Sequence, residues 1–301
     1  MKSTVAAIGI FDGVHLGHKA IIKSAVRRAR AIKGRSVVIT FDPHPLKVLQ
    51  PHKPIPLLMS TAHRVKLISE LGVDACLVLK FDKKFSNLKP HIFVKKILVD
   101  KLKVCEVYIG SDFVFGKECQ GNAITLQKYG WRYGFKIKIM PMVKLAGKVV
   151  SSTTIRSLIT RGRLNEAARM LGRPVTVVGT VIRGTSRGKS LGYPTANIDP
   201  HHEAIPPSGV YAVWVRLRNR KYGGASYIGT RPTFGEREPV IEVHIFNFRK
   251  LIYGEDIEII FVKRLHGERK FSSQRELVEQ IKRDDINVRR ILKMLYFQNK
   301  L

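Results

Sequence analysis

The sequence has no long apolar run. A helix that crosses a membrane needs ~20 consecutive apolar residues, and the longest runs here, at 5–11 and 37–41, are only strand-sized. Lys2 and the run at 5–11 faintly resemble a secretion signal, but this run is short for one and passes directly into Asp12 without a cleavage site. We therefore interpret 5–11 as a strand and expect a soluble protein with no membrane partner.

Cysteine is scarce. Cys76, Cys105 and Cys119 are odd in number, and their spacings fit neither a disulfide framework nor a C-x-x-C metal site. This pattern predicts a protein of the reducing cytoplasm, in which Cys76 and Cys105 are small apolar side chains of the core.

Acidic residues are few as well: 23 Asp and Glu stand against 54 Lys and Arg, which gives a net charge of +31. Such an excess attracts partners that carry phosphate, whether nucleotides, nucleic acid or anionic lipid. The basic residues are dispersed along the chain rather than gathered in one stripe or tail. Dispersed charge favours a solvated surface over a dedicated nucleic-acid face, so we predict no nucleic-acid partner.

The length of 301 residues exceeds the usual size of one core and predicts two domains. In the first half, short apolar runs alternate with helical patterns, which predicts a parallel sheet covered by helices on both faces. Strands are expected at 5–10, 37–41, 75–79, 104–109 and 135–140, and helices around 20–32, 62–71 and 92–102.

The pattern changes after residues 171–174. From residue 175 onward strands and turns follow one another without helices, which favours an antiparallel barrel or sandwich. A capping box, Ser273-Gln-Arg-Glu276, opens a final amphipathic helix. We predict domains at 1–174 and 175–301, with strands of the second at 176–182, 211–217, 225–228, 240–248 and 257–262.

A candidate anion site follows the first strand. Phe11-Asp-Gly-Val-His15-Leu-Gly-His18 leads from the strand into a helix, whose free N–H groups can bind phosphate. His15 and His18 are three residues apart and can share one helix face, while Gly13 and Gly17 allow the backbone to come close. The pattern indicates adenylyl transfer, in which histidines and backbone amides stabilise phosphate charge; two capping or surface histidines are the structural alternative.

A second helix start, Val150-Ser-Ser-Thr-Thr-Ile-Arg156, gathers hydroxyls, amides and a guanidinium in one turn. Together with the histidine motif it predicts a triphosphate site, although an ordinary Ser/Thr N-cap is the alternative.

The second half contains a glycine-rich run at 179–192, but only three residues separate Gly184 from Gly188-Lys-Ser190, where a P-loop requires four. The following Leu191-Gly-Tyr-Pro-Thr195-Ala-Asn197 has a hydroxyl and an amide two residues apart, which could bind one cation through hard oxygen ligands. A purely structural turn is the alternative.

The motifs occur in the order that resembles the bacterial bifunctional riboflavin kinase/FMN adenylyltransferase family, also called FAD synthetase. The matching segments include Ile8-Gly-Ile-Phe-Asp-Gly-Val-His-Leu-Gly-His18, Thr40-Phe-Asp-Pro-His-Pro45, Ile109-Gly-Ser-Asp-Phe-Val-Phe-Gly116, Val150-Ser-Ser-Thr-Thr-Ile-Arg156 and Leu191-Gly-Tyr-Pro-Thr-Ala-Asn197. The resemblance covers nearly the whole chain. It implies an α/β fold: an N-terminal Rossmann-like nucleotidyltransferase domain with a parallel sheet, and a C-terminal antiparallel β-barrel riboflavin kinase domain with a terminal helix.

The resemblance also implies the reactions. The C-terminal domain would phosphorylate riboflavin to FMN with ATP and Mg²⁺, and the N-terminal domain would transfer an adenylyl group from ATP to FMN, giving FAD and pyrophosphate. Glu242 matches the base that takes the proton of the ribityl hydroxyl, and a strand carboxylate facing solvent is its alternative. ATP, riboflavin and FMN are the expected small-molecule partners.

The remaining residues are assigned by the same resemblance. Asp112 and Arg289 are expected near flavin, with a solvated arginine as the alternative for Arg289. Thr195 and Asn197 match the Mg-ATP ligands. The residues expected to contact ATP are His15, His18, Gly9, Phe11, Asp12, Gly13, Gly17, Ser151, Ser152, Thr153, Arg156, Gly179, Gly184 and Gly188.

Four positions depart from the family pattern. Cys119 and Asn122 stand where the family often has Arg and Asp, while Arg183 replaces a common His and His266 a common Arg. Two other interpretations stay open: an adenylyltransferase acting on another phosphate compound, such as phosphopantetheine, and a basic nucleic-acid-binding protein.

Overall fold

The computed structural model describes residues 3–53, 55–184, 188, 191–233 and 236–298. Its contacts divide the chain into two compact units, Met1–Thr154 and Ile155–Leu301. Each unit is built around its own β-sheet.

The first unit contains a five-stranded parallel sheet with the strand order β3-β2-β1-β4-β7. Two short antiparallel ribbons, β5–β6 and β8–β9, accompany it. The strands are β1 (Thr4–Ile8), β2 (Arg35–Asp42), β3 (Ala75–Lys80), β4 (Val104–Gly110), β5 (Val114–Phe115), β6 (Gly121–Asn122), β7 (Lys136–Met140), β8 (Lys144–Leu145) and β9 (Lys148–Val149). The helices are α1 (Leu16–Ala31), α2 (Pro45–Leu49), α3 (Thr61–Ser69), α4 (Lys83–Ser86), α5 (Pro90–Phe93), which continues as a π-helix (Val94–Lys101), and α6 (Ala123–Tyr133), preceded by a 3₁₀ turn (Lys117–Cys119).

The central strand β1 is buried along its whole length. Ala6 and Ile8 belong to the core on one face of the sheet, whereas Val5 and Ala7 belong to the core on the other. Burial on both faces explains why the strand is a continuous apolar run rather than an alternating one, and it confirms the covered parallel sheet. The chain passes from β1 outward to β2 and β3, and then returns to β4 on the other side of β1. The switch point of the sheet, where such folds bind ligands, is therefore the gap between the ends of β1 and β4.

The second unit is a closed barrel with the strand order β10-β11-β14-β13-β12-β15, in which all strand pairs are antiparallel. The strands are β10 (Thr176–Ile182), β11 (Ala196–Pro200), β12 (Gly209–Leu217), β13 (Arg220–Thr233), β14 (Glu236–Ile245) and β15 (Asp256–His266). Before the barrel come α7 (Ser152–Thr160), in which the division between the units falls, and α8 (Leu164–Leu171).

The terminal helix α9 (Gln274–Gln298) packs on the outside of the barrel. Its Val288 and Leu292 form an apolar cluster with Ala212 and Phe246. At its start, the Ser273 hydroxyl accepts a hydrogen bond from the Glu276 amide at 3.2 Å, which confirms the predicted cap. The Glu276 carboxylate bonds Ser272 rather than Ser273 itself.

Several elements were not predicted from the sequence: the helices α2, α4, α6 and α8, the strand β11 and the two short ribbons. The strand β11 has the sequence Ala-Asn-Ile-Asp-Pro, which contains too little apolar alternation to identify a strand. The local pattern of β11 is therefore weak. The helix α6 begins at an Asn122 N-cap and ends at Gly134 in a left-handed conformation, but it buries only Leu126 and Gly130. The helix α6 does carry a helical signal, since Ala123, Leu126, Tyr129 and Tyr133 recur at helical spacing and pack on the core.

Candidate active sites

The loop between β1 and α1 brings the two motif histidines together. His15 is the N-cap of α1, and its Nδ1 accepts a hydrogen bond from the backbone amide of His18 at 3.3 Å. The two imidazole rings stack with centroids 3.5 Å apart and an angle of 21° between them. A Cβ at Gly17 would lie 3.1 Å from the His15 ring, so Gly17 leaves room for this ring. The two rings are therefore adjacent, although His15 is the N-cap before the first turn rather than a residue on the helix face.

The His18 side chain is held as a neutral imidazole. Its ring meets the edge of Phe11 at a centroid distance of 5.2 Å. Burial lowers the pKa of His18 well below 6.5, and the nearby His15 and Arg64 lower it further. At neutral pH His18 can therefore donate a hydrogen bond from only one ring nitrogen.

The loop that carries these histidines has an unusual backbone. Phe11 and Val14 have φ angles of 55° and 39°, a region that residues with a side chain seldom adopt, and Gly13 has a φ of 90°. Asp12 holds the loop from inside: it is 2% exposed, and its carboxylate oxygens accept from the Leu58 amide at 3.1 and 3.2 Å. The conformation is thus imposed by contacts outside the loop.

The second motif is joined to the first by a direct hydrogen bond. The hydroxyl of Ser152 donates to the backbone carbonyl of Asp12 at 2.7 Å. The hydroxyl of Ser151 accepts from the Thr154 amide at 3.2 Å, so it has the role of an N-cap. Thr153 is exposed, and Arg156 is 9% exposed. Because the serine hydroxyls are engaged within the protein, the donors that this turn can offer a phosphate are chiefly its backbone amides.

The end of β4 places Asp112 at the switch point. A Cβ at Gly110 would lie 2.8 Å from the Asp112 carboxylate and 3.7 Å from Ile21 of α1, so the carboxylate folds back over the strand end. Further along, Asn122 caps α6 by accepting from the Thr125 amide at 2.9 Å. The departure at Asn122 therefore has a structural role. Cys119 is exposed and has a φ of 56°.

In the barrel, strand register brings the candidate kinase residues together. Asn197 of β11 is paired directly with Glu242 of β14, and the Thr195 hydroxyl donates to Glu242 Oε2 at 3.2 Å. Ile241 and Val243 on either side of Glu242 are fully buried, whereas Glu242 is only partly buried. Glu242 therefore lies on the outer face of the barrel, within reach of a ligand.

The glycine-rich segment runs close over this site. A Cβ at Gly184 would lie 2.1 to 2.6 Å from the side-chain amide of Asn197, and one at Gly188 would lie 3.1 Å from the Thr195 hydroxyl. Neither position has room for a side chain, which explains the glycines. Gly179, on β10, faces the Asp199 carbonyl in the same way. The positions 185–187 and 189–190 of this segment lie outside the described residues.

Sequence reasoning missed Tyr227, which is the neighbour of Glu242 on β13. The two residues are paired directly, so their side chains share the outer face, and the Tyr227 hydroxyl donates to Glu268 at 2.9 Å. Burial together with Glu268 and Glu242 raises the pKa of Tyr227 to about 12, so it is a protonated donor near neutral pH. Only the strand register reveals this contact, because 15 residues of sequence separate the two without a motif.

Arg289 and two of the residues that depart from the family pattern have partners in the second unit. Arg289 of α9 is exposed, pairs with Asp285 at 2.8 Å and lies over the Phe246 ring at 4.0 Å. His266, one of the four departures, bonds Asp284 of α9 at 3.0 Å. Arg183 lies over the Tyr253 ring at 5.9 Å.

Two features are absent from the described part of the chain. No helix in it has the length and apolar character that crossing a bilayer requires. Among these residues there is also no cluster of three or more His, Cys, Asp or Glu that could hold a metal ion. The three cysteines are free thiols.

The fold and the two sites define a two-domain phosphate-transfer enzyme, with a nucleotide-binding α/β domain and a β-barrel domain. Comparison with known proteins identifies the family. Family models described as FAD synthetase and as riboflavin kinase match residues 1–154 and 171–292. The bifunctional riboflavin kinase/FMN adenylyltransferase of Listeria monocytogenes is 40% identical over 95% of this chain and 91% of its own length. That of Escherichia coli K12 is 34% identical over 96% and 92%.

A solved structure gives the same fold over the whole chain. It is described as a macrolide-efflux protein from Streptococcus pneumoniae, is 32% identical, and covers 96% of this chain and 94% of its own with a TM-score of 0.85. The chain therefore belongs to the bifunctional riboflavin kinase/FMN adenylyltransferase family. The predicted family, the class of enzyme and the fold are confirmed.

Proposed function

We propose that the chain makes FAD from riboflavin in two ATP-dependent steps, each carried out by the residues placed together in one domain. The barrel phosphorylates the ribityl hydroxyl of riboflavin to give FMN. The α/β domain joins the FMN phosphate to the α-phosphorus of ATP, which releases pyrophosphate and leaves FAD.

The stacked pair His15–His18 at the start of α1 carries the adenylyl-transfer proposal. It lies after β1, at the switch point of the sheet, where the start of α1 presents backbone N–H groups for phosphate binding; the His18 amide is the one that already donates to His15. A neutral His18 offers one directed N–H donor in a partly dry site, which suits a donor to the charge that develops on the transferred phosphate. No covalent enzyme intermediate is needed, because a phosphate oxygen of FMN is itself the nucleophile.

The residues around the two histidines contact the substrates of the adenylyl-transfer site. Asp112 lies near the flavin. The backbone of the loop and of the α7 start surrounds the ATP phosphates, with Arg156 as the cationic partner. These ATP contacts comprise Gly9, Phe11, Asp12, Gly13, Gly17, Ser151, Ser152 and Thr153.

In the barrel, Glu242 is the proposed base. Its carboxylate accepts the ribityl proton as the hydroxyl attacks the γ-phosphorus of ATP. The Thr195 hydroxyl and the Asn197 amide oxygen would hold Mg²⁺. Their contact and pairing with Glu242 gather hard oxygen donors at one place, which is the donor chemistry that Mg²⁺ prefers. Magnesium, when bound, supplies charge neutralisation on the ATP phosphates.

The other proposed contacts of the kinase site are three glycines and one arginine. Gly179, Gly184 and Gly188 are the proposed ATP contacts of the barrel, through backbone that lies close to Asp199, Asn197 and Thr195. Arg289, which is stacked on Phe246, approaches the flavin.

We retain the domain limits 1–174 and 175–301, a cytoplasmic location and small-molecule partners without nucleic acid as parts of the proposal. The dispersed positive charge supports nucleotide substrates over a nucleic-acid face. If nucleic acid were the partner, binding would weaken steeply with salt, and a titration of duplex DNA at rising salt concentration tests this.

One assay tests both steps. Pure protein is incubated with riboflavin, ATP and Mg²⁺, and riboflavin, FMN and FAD are separated by chromatography. We expect FMN to appear first and FAD to follow, with both reactions stopped by a chelator. Phosphopantetheine supplied in place of FMN should not be adenylated; its adenylation, together with inert FMN, would replace the proposed acceptor.

A further inference from the structure

A buried cation lies beneath the adenylyl-transfer site. Arg64 of α3 is 2% exposed, and it belongs to none of the sequence motifs. Its Nη1 donates to the carbonyl of Ile10 at 3.1 Å, and its Nη2 donates to the carbonyl of Phe41 at 2.7 Å. These carbonyls lie where the chain leaves β1 and where β2 ends. One guanidinium therefore joins the carboxyl ends of two neighbouring strands.

Further hydrogen bonds surround the end of the guanidinium, whereas the buried Nε of Arg64 has no hydrogen-bond partner among the described residues. Nη2 also donates to the Thr61 hydroxyl at 3.0 Å, and this hydroxyl donates to the Asp42 carboxylate. The Thr40 hydroxyl donates to the same Ile10 carbonyl at 2.8 Å. The planar guanidinium can serve two carbonyls and a hydroxyl at once, whereas a lysine ammonium would lack the fork geometry.

Burial lowers the pKa of Arg64, and the nearby carboxylates of Asp12 and Asp42, together with the Cys76 thiol, offset this lowering only in part. Burying a charge lowers the stability of the fold unless the charge is paired. An apolar side chain in place of Arg64 could cover the strand ends without this cost. A buried cation at the edge that binds the substrate therefore suggests a role beyond packing.

We propose that Arg64 is a positioning residue for adenylyl transfer: it fixes the loop that follows β1 to the end of β2, and so sets the position of His15 and His18 without touching substrate. This inference rests on the proposed role of these histidines. The loop needs such support because Phe11 and Val14 both have a positive φ. Three hydrogen bonds hold the loop. Arg64 donates to the Ile10 carbonyl, the Leu58 amide donates to the Asp12 carboxylate, and the Ser152 hydroxyl donates to the Asp12 carbonyl.

The positive charge of Arg64 has a second effect on the same histidine. The ionisable groups that act on His18 are His15 and Arg64, while Asp12 and Asp42 act on Arg64. Arg64 thus supports the neutral imidazole through space, in addition to holding the loop through hydrogen bonds. The effect of the charge and that of the hydrogen bonds can be separated, because lysine retains the positive charge but lacks the planar guanidinium that bonds several oxygens at once.

The test uses the full chain with Arg64→Met, Arg64→Lys and, as a matched control, Lys66→Met, which removes an exposed cation from the same helix. Rates of FMN adenylation and of riboflavin phosphorylation are measured on each protein, together with the KM values for FMN and ATP. The protonation of His18 is followed by NMR of the imidazole nitrogens, with the signal assigned from a His18→Gln variant.

We expect Arg64→Met to lower kcat of adenylation by about 10- to 100-fold, because displacing a catalytic group by ~1 Å costs up to ~10². The KM values should stay within about threefold and riboflavin phosphorylation should be unchanged. The pKa of His18 should rise in Arg64→Met but not in Arg64→Lys, whereas adenylation should fall in both and less in Arg64→Lys. Lys66→Met should match the parent protein.

A folded Arg64→Met variant with the parent adenylation rate would refute the proposal. A parallel loss of both activities would refute it too, since it would assign Arg64 to the stability of the whole chain. If Arg64→Met does not fold, Arg64→Lys decides: a folded protein with the parent kcat overturns the inference, and reduced kcat with intact phosphorylation supports it. Should the parent protein form no FAD, the proposed function fails, while the titration of His18 still tests the effect of Arg64.

Discussion

The two candidate sites are built by different means. The adenylyl-transfer site lies on a loop at the open edge of a parallel sheet, where residues distant in sequence hold a backbone with positive φ angles. The kinase site lies on the outer face of a closed barrel, where Asn197, Glu242 and Tyr227 are aligned by pairing of adjacent strands. The first arrangement depends on a few specific contacts, and the second on the hydrogen-bonded ladder of the whole barrel.

The two sites should therefore be sensitive to mutation at different kinds of residue. A loop site can be disturbed by changing one supporting residue that never meets the substrate, because few contacts determine the loop. A site fixed by register keeps its geometry when a single side chain is replaced, since the backbone ladder is unaffected. Its sensitive positions are the reacting groups and the places where another segment comes close.

The largest separation of the two activities is expected from Glu242→Gln. Glutamine preserves the size of the side chain but cannot take the ribityl proton, so riboflavin phosphorylation should fall by ~10²–10⁴. Supplied FMN should still become FAD at the parent rate, which chromatography of the two half-reactions measures. If the rate of FMN formation stays within a few-fold of the parent, the base is another residue, and Glu242 does not belong to the reacting groups of the kinase site.

The reciprocal change is His18→Ala. Loss of one preorganised donor should lower FAD formation by ~10²–10³, while FMN accumulates from riboflavin because the barrel is untouched. The measurement is the ratio of FMN to FAD over time, and Glu242→Gln is the opposite control. Unaltered FAD synthesis would exclude His18 from the mechanism.

A smaller effect is expected from Gly184→Ala, which tests the close approach over the barrel. The new Cβ would lie 2.1 to 2.6 Å from the Asn197 amide, so the segment must shift, and we expect kcat of phosphorylation to fall about 10-fold. Gly267→Ala is a suitable control, because the nearest atom to its new Cβ would be the Arg264 guanidinium at 3.4 Å, which is an ordinary contact distance. Equal activity of both variants would contradict the approach of this segment to Asn197.

The smallest effect is expected from separating the domains. Fragments 175–301 and 155–301 should both fold and phosphorylate riboflavin within a few-fold of the parent, without forming FAD, because Thr195, Asn197 and Glu242 lie in the barrel. The longer fragment should have the higher melting temperature, since it retains α8 with Leu164 and Met170 buried. Calorimetry and the chromatographic assay measure the two properties. A cooperatively folded fragment without kinase activity would mean that the kinase site needs residues outside the barrel.

Much of the fold was predictable from the sequence. The all-apolar run of β1 and the helical spacing of α1 predict the covered parallel sheet, and the strand-turn pattern after residue 174 predicts an antiparallel β domain. The histidine motif was found as well, because all its residues lie in one continuous segment. The strand β11 was missed because its side chains carry little periodic signal. The helix α6 was missed although its Asn122 N-cap, its Gly134 stop and its apolar spacing are signals of a helix.

The features that can be read from the sequence are local: which segments form strands and helices, and which short motifs carry histidines, hydroxyls and carboxylates. The packed fold is needed to see that Arg64 reaches Ile10 across 54 residues, that Leu58 binds Asp12 across 46, and that Tyr227 pairs with Glu242. The physical reason is that periodicity and capping act over a few residues, whereas strand register and buried hydrogen bonds depend on the packing of segments far apart in the chain. Those long-range contacts hold the loop of one site and align the strands of the other.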